Sequence, residues 1–264
     1  MNLGIITEAT AEGIKWVREQ GLGYAEFCYN VGNSPKELDE RLDSIIAACE
    51  QYGVKVGSVG RWGPDKFDKD GKVIEEEFNN QLLMIDITSR LGCPVFNTGA
   101  NFVEGLSLLE NCDIAADYLA KLIEYGRDKG VKIATYNCDW NNYIRTPEVW
   151  TLIHGKLPEL GIKYDVSHCI NVHHGDYKQE IADWGKRFYH FHIKGTINIG
   201  GRHIDDPPAG LDMVDWHTVM GLLYQAGYDA MLSIEPHSGV WKGKLGDWGI
   251  KYTINYIGKM IYSE

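Results

Sequence analysis

Apolar and polar positions along this chain follow one repeated rhythm. A short β-branched or apolar run comes first, then a polar or glycine-bearing loop, then a stretch with apolar residues at helical spacing. The runs at 3–7, 24–29, 54–59, 94–97, 131–136, 162–166, 188–193 and 230–234 predict strands. Between them the spacing predicts helices over 11–20, 35–52, 78–91, 115–129, 177–186, 216–226 and 248–261. The 35–52 segment carries Leu38, Leu42, Ile45, Ile46 and Cys49 on one stripe, and 115–129 carries Ala116, Leu119, Ala120 and Ile123. Thr146 sits where an N-cap belongs and Pro147 at the first position of a short helix running towards residue 157. A long loop is expected after the seventh strand, reaching about Asp212.

Strands that alternate with helices at roughly thirty residues per unit call for parallel pairing through helical crossovers. Eight such units close naturally into a (β/α)₈ barrel, an α/β fold, here one domain over 1–264. A doubly wound open sheet is the runner-up, but the GxGxxG loop expected after its first strand is missing.

Composition narrows the function. The net charge of −11 excludes a broad phosphate-backbone contact, so no nucleic-acid partner is expected. The six cysteines are scattered without a CxxC pair, which reads as reduced thiols in a cytoplasmic protein. The first residues, MNLGIITEAT, lack the pattern of a signal peptide. No stretch approaches the roughly 20 apolar residues of a membrane span, so no membrane partner is expected either.

In such a barrel the chemistry sits at the C-terminal strand ends. Asp165, His192 and Glu235 occupy corresponding positions at the ends of strands six, seven and eight, where their side chains can converge. Two carboxylates and an imidazole suit Mn²⁺, Co²⁺, Mg²⁺ or Zn²⁺ with positions left open for substrate oxygens. Taken singly, each has a plainer explanation. A lone strand-end Asp is more often a helix cap, and a lone strand His a satisfied core residue. Their joint placement is what singles them out. Glu8, Glu26, Arg61 and Asn97 are further candidates to line the cup, each equally plausible as a rim hydrogen-bonding residue, while His173 and His174 read as surface.

These same residues lie in YDVSH (Asp165, His168), HFHIKG (His192, Lys194) and LSIEPH (Glu235), with PPAGLDMVDW between the last two. The ordered set resembles the xylose-isomerase-like superfamily of sugar phosphate isomerases and epimerases, in register over the whole chain. The resemblance implies a divalent metal, Mn²⁺ foremost, held by a strand-five Glu together with Asp165, His192 and Glu235. It also implies Glu235 as a base, His168 as a holder of substrate hydroxyls, Lys194 and Arg202 as substrate contacts, a small carbohydrate substrate and a homo-oligomer. Trp62, Trp140 and Trp241 are candidates to stack on sugar faces, and Asn97 to line the site.

Strand five departs from this pattern. It reads IATYNCDWNN, with no Glu at the first ligand position. Asn137, or Asp139, is left to supply an oxygen ligand. The departure also removes one of the two acid–base glutamates, which leaves three readings. The first is an isomerase or epimerase working through an enediolate. The second is a dehydratase or lyase on a keto-sugar or keto-inositol, with His168 or Tyr136 as general acid. The third is a sugar-binding barrel that has lost its metal. The DNA-repair nucleases that share this barrel fit poorly, for want of a basic surface.

Overall fold

A computed structural model describes residues 1–262. Eight parallel strands form the barrel: β1 (Asn2–Thr7), β2 (Tyr24–Cys28), β3 (Lys55–Gly60), β4 (Val95–Thr98), β5 (Lys132–Tyr136), β6 (Gly161–Asp165), β7 (Phe188–Ile193) and, after the hairpin β8 (Ile197–Ile199) and β9 (Arg202–Asp205), β10 (Met231–Ile234). They close in the order β1-β10-β7-β6-β5-β4-β3-β2. All eight C-terminal ends therefore open on one side, and that is where the loops gather. The expected (β/α)₈ barrel is the observed one.

The helices sit outside, and their ends follow local chemistry. Thr10 caps Ala11–Glu19 through its hydroxyl, which accepts from the Gly13 N–H at 3.0 Å. The segment expected to be one helix over 35–52 is two, Pro35–Glu40 and Leu42–Tyr52, because Arg41 leaves helical geometry at φ −103°, ψ 2°. Gly53 ends the second at φ 63°, a left-handed conformation that glycine adopts without strain. The helix expected from 115 begins at Leu108. Ser107 and Glu110 form a reciprocal capping box, and buried Asn111 joins the first turn by bonding the Val103 carbonyl at 3.1 Å. The last helix, Gly243–Gly258, likewise starts earlier than its apolar spacing indicates. The long loop after β7 folds back as the β8–β9 hairpin, with Gly200 and Gly201 both at positive φ in its turn.

Two interiors result. Between strands and helices lies an apolar layer that includes Ile14, Leu42, Met84, Leu119, Trp150 and Trp216, all buried. Inside the barrel, where branched apolar residues usually fill the layers, this chain buries Glu26, Ser58, Asn97, Lys163, His190 and His192. Asn97 donates to the Ser58 hydroxyl at 2.6 Å, and Ser58 donates to Glu26 at 3.4 Å.

One rim contact fixes the loop after β3. Arg61 grips Glu77 with two bonds of 2.9 Å, and Lys66 lies 3.7 Å from the same carboxylate, all three nearly fully buried. Arg61, a candidate cup residue, thus ties a loop to the helix Glu75–Arg90. Removing the shared anion strands two buried cations. Glu77→Ala is expected to destabilise the fold by about 3–5 kcal/mol in urea melts. Arg90→Ala, which breaks only exposed pairs to Asp39 and Asp43, is expected to cost less than about 1 kcal/mol.

Candidate active site

Asp165 ends β6 and caps the single turn Val166–His168. Its Oδ1 accepts the Ser167 N–H at 2.8 Å, so the plain reading of a strand-end Asp as a helix cap holds for that atom. Oδ2 is buried and has no hydrogen-bond partner. Asn137, beyond β5, fixes this residue's main chain. It donates to the Asp165 carbonyl at 2.9 Å, and its Oδ1 accepts the Asp165 N–H at 2.9 Å. The Asn137 oxygen expected as a ligand is thus engaged with the end of β6.

His192 meets both neighbouring strands. Its Nδ1 lies 2.8 Å from Glu235 Oε2 and 3.7 Å from Asp165 Oδ2. Its Nε2 lies 2.9 Å from Glu26, a contact across the barrel, since β1 and β10 stand between β2 and β7. His190, two residues earlier and so on the same face, brings its Nε2 to 2.9 Å from Glu26. Two lysines complete the group: Lys163 Nζ is 3.9 Å from Asp165 Oδ2, and Lys194 Nζ is 3.9 Å from Glu235 Oε2.

Burial alone would lower the imidazole of His192, yet Glu26 and Glu235 hold it up at about 10. Burial would raise Glu26 and Glu235, but His190 and His192 keep the first well below the ordinary carboxylate range, and Lys194 and His192 do so for the second. Burial pulls His190 down, and it pulls His168 down to about 4, so both are neutral near pH 7. Three carboxylates thus face two ammonium groups and one imidazolium.

Above this group opens a cavity of about 710 Å³. Asp139, Lys163, His168, His192, Lys194, Glu235 and His237 line it, between walls made by Trp62 and Trp140. Trp62 is buried and stacks on Tyr136 at 5.1 Å, while Trp140 is 47% exposed. Gly60 has no side chain because a Cβ there would run into the Trp62 ring.

The other expected site residues lie elsewhere. Tyr136 sits behind Trp62 rather than on the cavity wall, and burial pushes its phenol far up. Asn97 is inside the barrel, bonded to Ser58. Arg202 is on exposed β9 and does not line the cavity. Trp241 lines a small adjoining crevice, Glu8 is exposed, and His173 is half-buried against Glu180 at 2.7 Å rather than on the surface.

Sequence reasoning missed Lys163 and Asp206, and gave no role to His190 or His237. Asp206 is buried and holds His237 Nδ1 at 3.0 Å and His203 Nε2 at 2.8 Å, which fastens the hairpin to the end of β10. The available signal was charge inside apolar strand runs: Lys163 stands two residues before Asp165, on its face.

Asp165, His192 and Glu235 place three ligand atoms within 4.8 Å of one another. The unpartnered Oδ2 of Asp165 and the Glu26 carboxylate behind His192 Nε2 form the arrangement that supports a metal-bound imidazole. These residues fit a divalent cation with three protein ligands. Cys138, Asp139 and His168 make a second such group in the same cavity.

His192 is held above the roughly 6.5 of a free imidazole. Its charged contacts therefore contribute stability in full below about pH 6.5, and the contribution is lost as pH rises through about 10. Denaturant melts in metal-free buffer should show stability falling between pH 7 and 10, with a flatter profile for His192→Gln. Equal slopes for the two proteins would refute the charged state.

Solved structures share this barrel over nearly their full length. A 3-keto-D-glucoside 4-epimerase from E. coli superposes with a TM-score of 0.76 at 16% identity, covering 98% of this chain and 99% of that one. A D-allulose 3-epimerase from Methylomonas sp. gives 0.77 at 18% identity, covering 98% of each chain. The IOLI protein with a bound zinc atom gives 0.79 at 16% identity, covering 100% of each. No curated protein sequence matches. No helix among the described residues is long and apolar enough to cross a membrane. The sequence pattern of one family spans residues 14–252, and on that match the chain belongs to the xylose isomerase-like TIM barrel family.

Proposed function

We propose that this protein is a sugar isomerase or epimerase that moves a proton at the carbon beside the carbonyl of a keto or aldo sugar, through an enediolate. The observation that carries this reading is the position of Glu235. Of the three carboxylates that meet at the barrel's end it alone opens to the cavity, its side chain 21% exposed, with His192 and Lys194 against it. The names of the 3-keto-D-glucoside and D-allulose epimerases that share the fold support the substrate class.

Glu235 stays ionised throughout the neutral range and accepts the proton from carbon. The electron pair of that C–H bond moves to the carbonyl oxygen. Lys194 reaches both the carboxylate and the developing oxyanion, so its ammonium can turn from one to the other as charge transfers. A divalent ion on Asp165, His192 and Glu235, with Mn²⁺ the first candidate, would polarise the carbonyl. His168, neutral near pH 7, holds a substrate hydroxyl, and Trp62 and Trp140 flank the ring.

The second proton carrier is His237. Asp206 anchors its Nδ1 and leaves Nε2 free at the cavity. It replaces the absent strand-five glutamate, and it does so better than Tyr136 behind Trp62. Return of the proton to the other face gives the epimer, and return to the neighbouring carbon gives the isomer. A carboxylate paired with an imidazole also suits elimination, in which the same enediolate expels a β-hydroxyl as water.

The test is a panel of ketohexoses, aldohexoses and 3-keto-glucosides incubated in D₂O and followed by NMR. Deuterium should enter beside the carbonyl, and loss of water would mark elimination. Glu235→Gln should slow exchange by about 10³-fold while keeping the folded circular-dichroism spectrum. No exchange on any sugar, or full exchange by Glu235→Gln, would overturn the assignment.

A further inference from the structure

On the fourth side of the Asp165–His192–Glu235 group, beyond β5, the only carboxylate among the described residues that lines the cavity is the exposed Asp139, grouped with Cys138 and His168. Beyond β5 stands Cys138, which lines the cavity, and the amide of Asn137 is engaged with the Asp165 main chain. The buried charge on that side comes from β6. Lys163 pairs in register with Tyr136 at the end of β5, and its side chain is 2% exposed. Its Nζ stands 3.9 Å from Asp165 Oδ2, the one buried carboxylate oxygen of the group without a hydrogen bond. Lys194 stands equally far from Glu235 Oε2. Two of the three ligand atoms thus already face an ammonium group.

The affinity of a site for hard divalent cations depends on the summed charge of its ligands. Exchanging a fourth carboxylate for an ammonium changes that sum by two units in the unfavourable direction. The effect is strong here because the groups are buried and poorly screened. With Lys163 and Lys194 each 3.9 Å from a carboxylate oxygen, two of the ligand carboxylates already have a cationic neighbour before any ion arrives.

We propose that Lys163 stands in the place of a fourth, anionic metal ligand and keeps the affinity of this site for divalent cations low, so that the permanent positive charge facing the substrate is ammonium. The inference rests on the reading of Asp165, His192 and Glu235 as the cation-binding group. It implies a readily exchanged ion, and a site whose electrophilic character survives when the ion leaves.

The experiment is titration of the full chain with Mn²⁺ alone, followed by electron paramagnetic resonance and calorimetry. Lys163→Met is expected to bind Mn²⁺ roughly tenfold more tightly than the unaltered protein, and Lys163→Glu roughly a hundredfold more tightly. Lys163→Arg should bind as the unaltered protein does. Should Lys163→Glu fold poorly without metal, Lys163→Met still decides, and a rise in melting temperature on adding Mn²⁺ gives a second readout. Combining Asp165→Asn with Lys163→Met should abolish the gain. The proposal is overturned if the unaltered protein binds one Mn²⁺ as tightly as both variants, or if the gain survives Asp165→Asn. No sugar turnover is needed for this readout. Expected affinities with no deuterium exchange on any sugar would uphold Lys163 and remove the isomerase reading, and the reverse pattern would do the opposite.

Discussion

A single ionised carboxylate inside the barrel, Glu26, organises everything above it. An unpaired charge at that depth would carry a large desolvation penalty. His190 and His192 reach it from the opposite wall at 2.9 Å, and Ser58 from the neighbouring strand. The contact fixes the ring of His192 so that its other nitrogen must point at Asp165 and Glu235. It also fills a layer of the barrel with polar groups where most barrels place aliphatic ones. The site is thus assembled from below, by the contents of the barrel, as much as from the loops around its mouth.

Charge balance then decides what the site can do. A carboxylate beside a lysine and an imidazolium is a poor base in the free protein and a better one once those cations find a substrate oxygen. In the proposed reaction, proton transfer and charge compensation are coupled through the same few ångströms. On the proposed reading, and unlike the pattern the family resemblance implies, the two proton-carrying tasks fall to unlike groups, Glu235 after β10 and His237 two residues later, each beside a different neighbour.

Much of this was legible in the sequence, because strand and helix periods are local. All eight barrel strands were located, and strand-end position alone pointed to Asp165, His192 and Glu235, which the structure brings together. What period cannot report is what lies opposite. Glu26 and His192 are 166 residues apart, and nothing local couples them. Strand-end position was also too coarse for Tyr136, Asn97 and Arg202, since it does not say whether a side chain faces the cavity, the barrel interior or open solvent. Polar helix starts escaped for a related reason: Ser107, Glu110 and Asn111 interrupt the apolar spacing while forming the cap that begins the helix.

The two tryptophan walls differ in a way that bears on binding. Trp62 is held on one face by Tyr136 and lies over a glycine that leaves it room, so it is already in place before a ligand enters and surrenders little conformational freedom. Trp140 stands half in solvent at the tip of a loop and must be immobilised when a ring slides beneath it, at roughly 0.5–1.5 kcal/mol for an ordered side chain. On the proposed sugar-binding reading, one wall acts as a template and the other as a flap. Ligands that touch only the template should leave quickly, and those large enough to recruit the flap should stay.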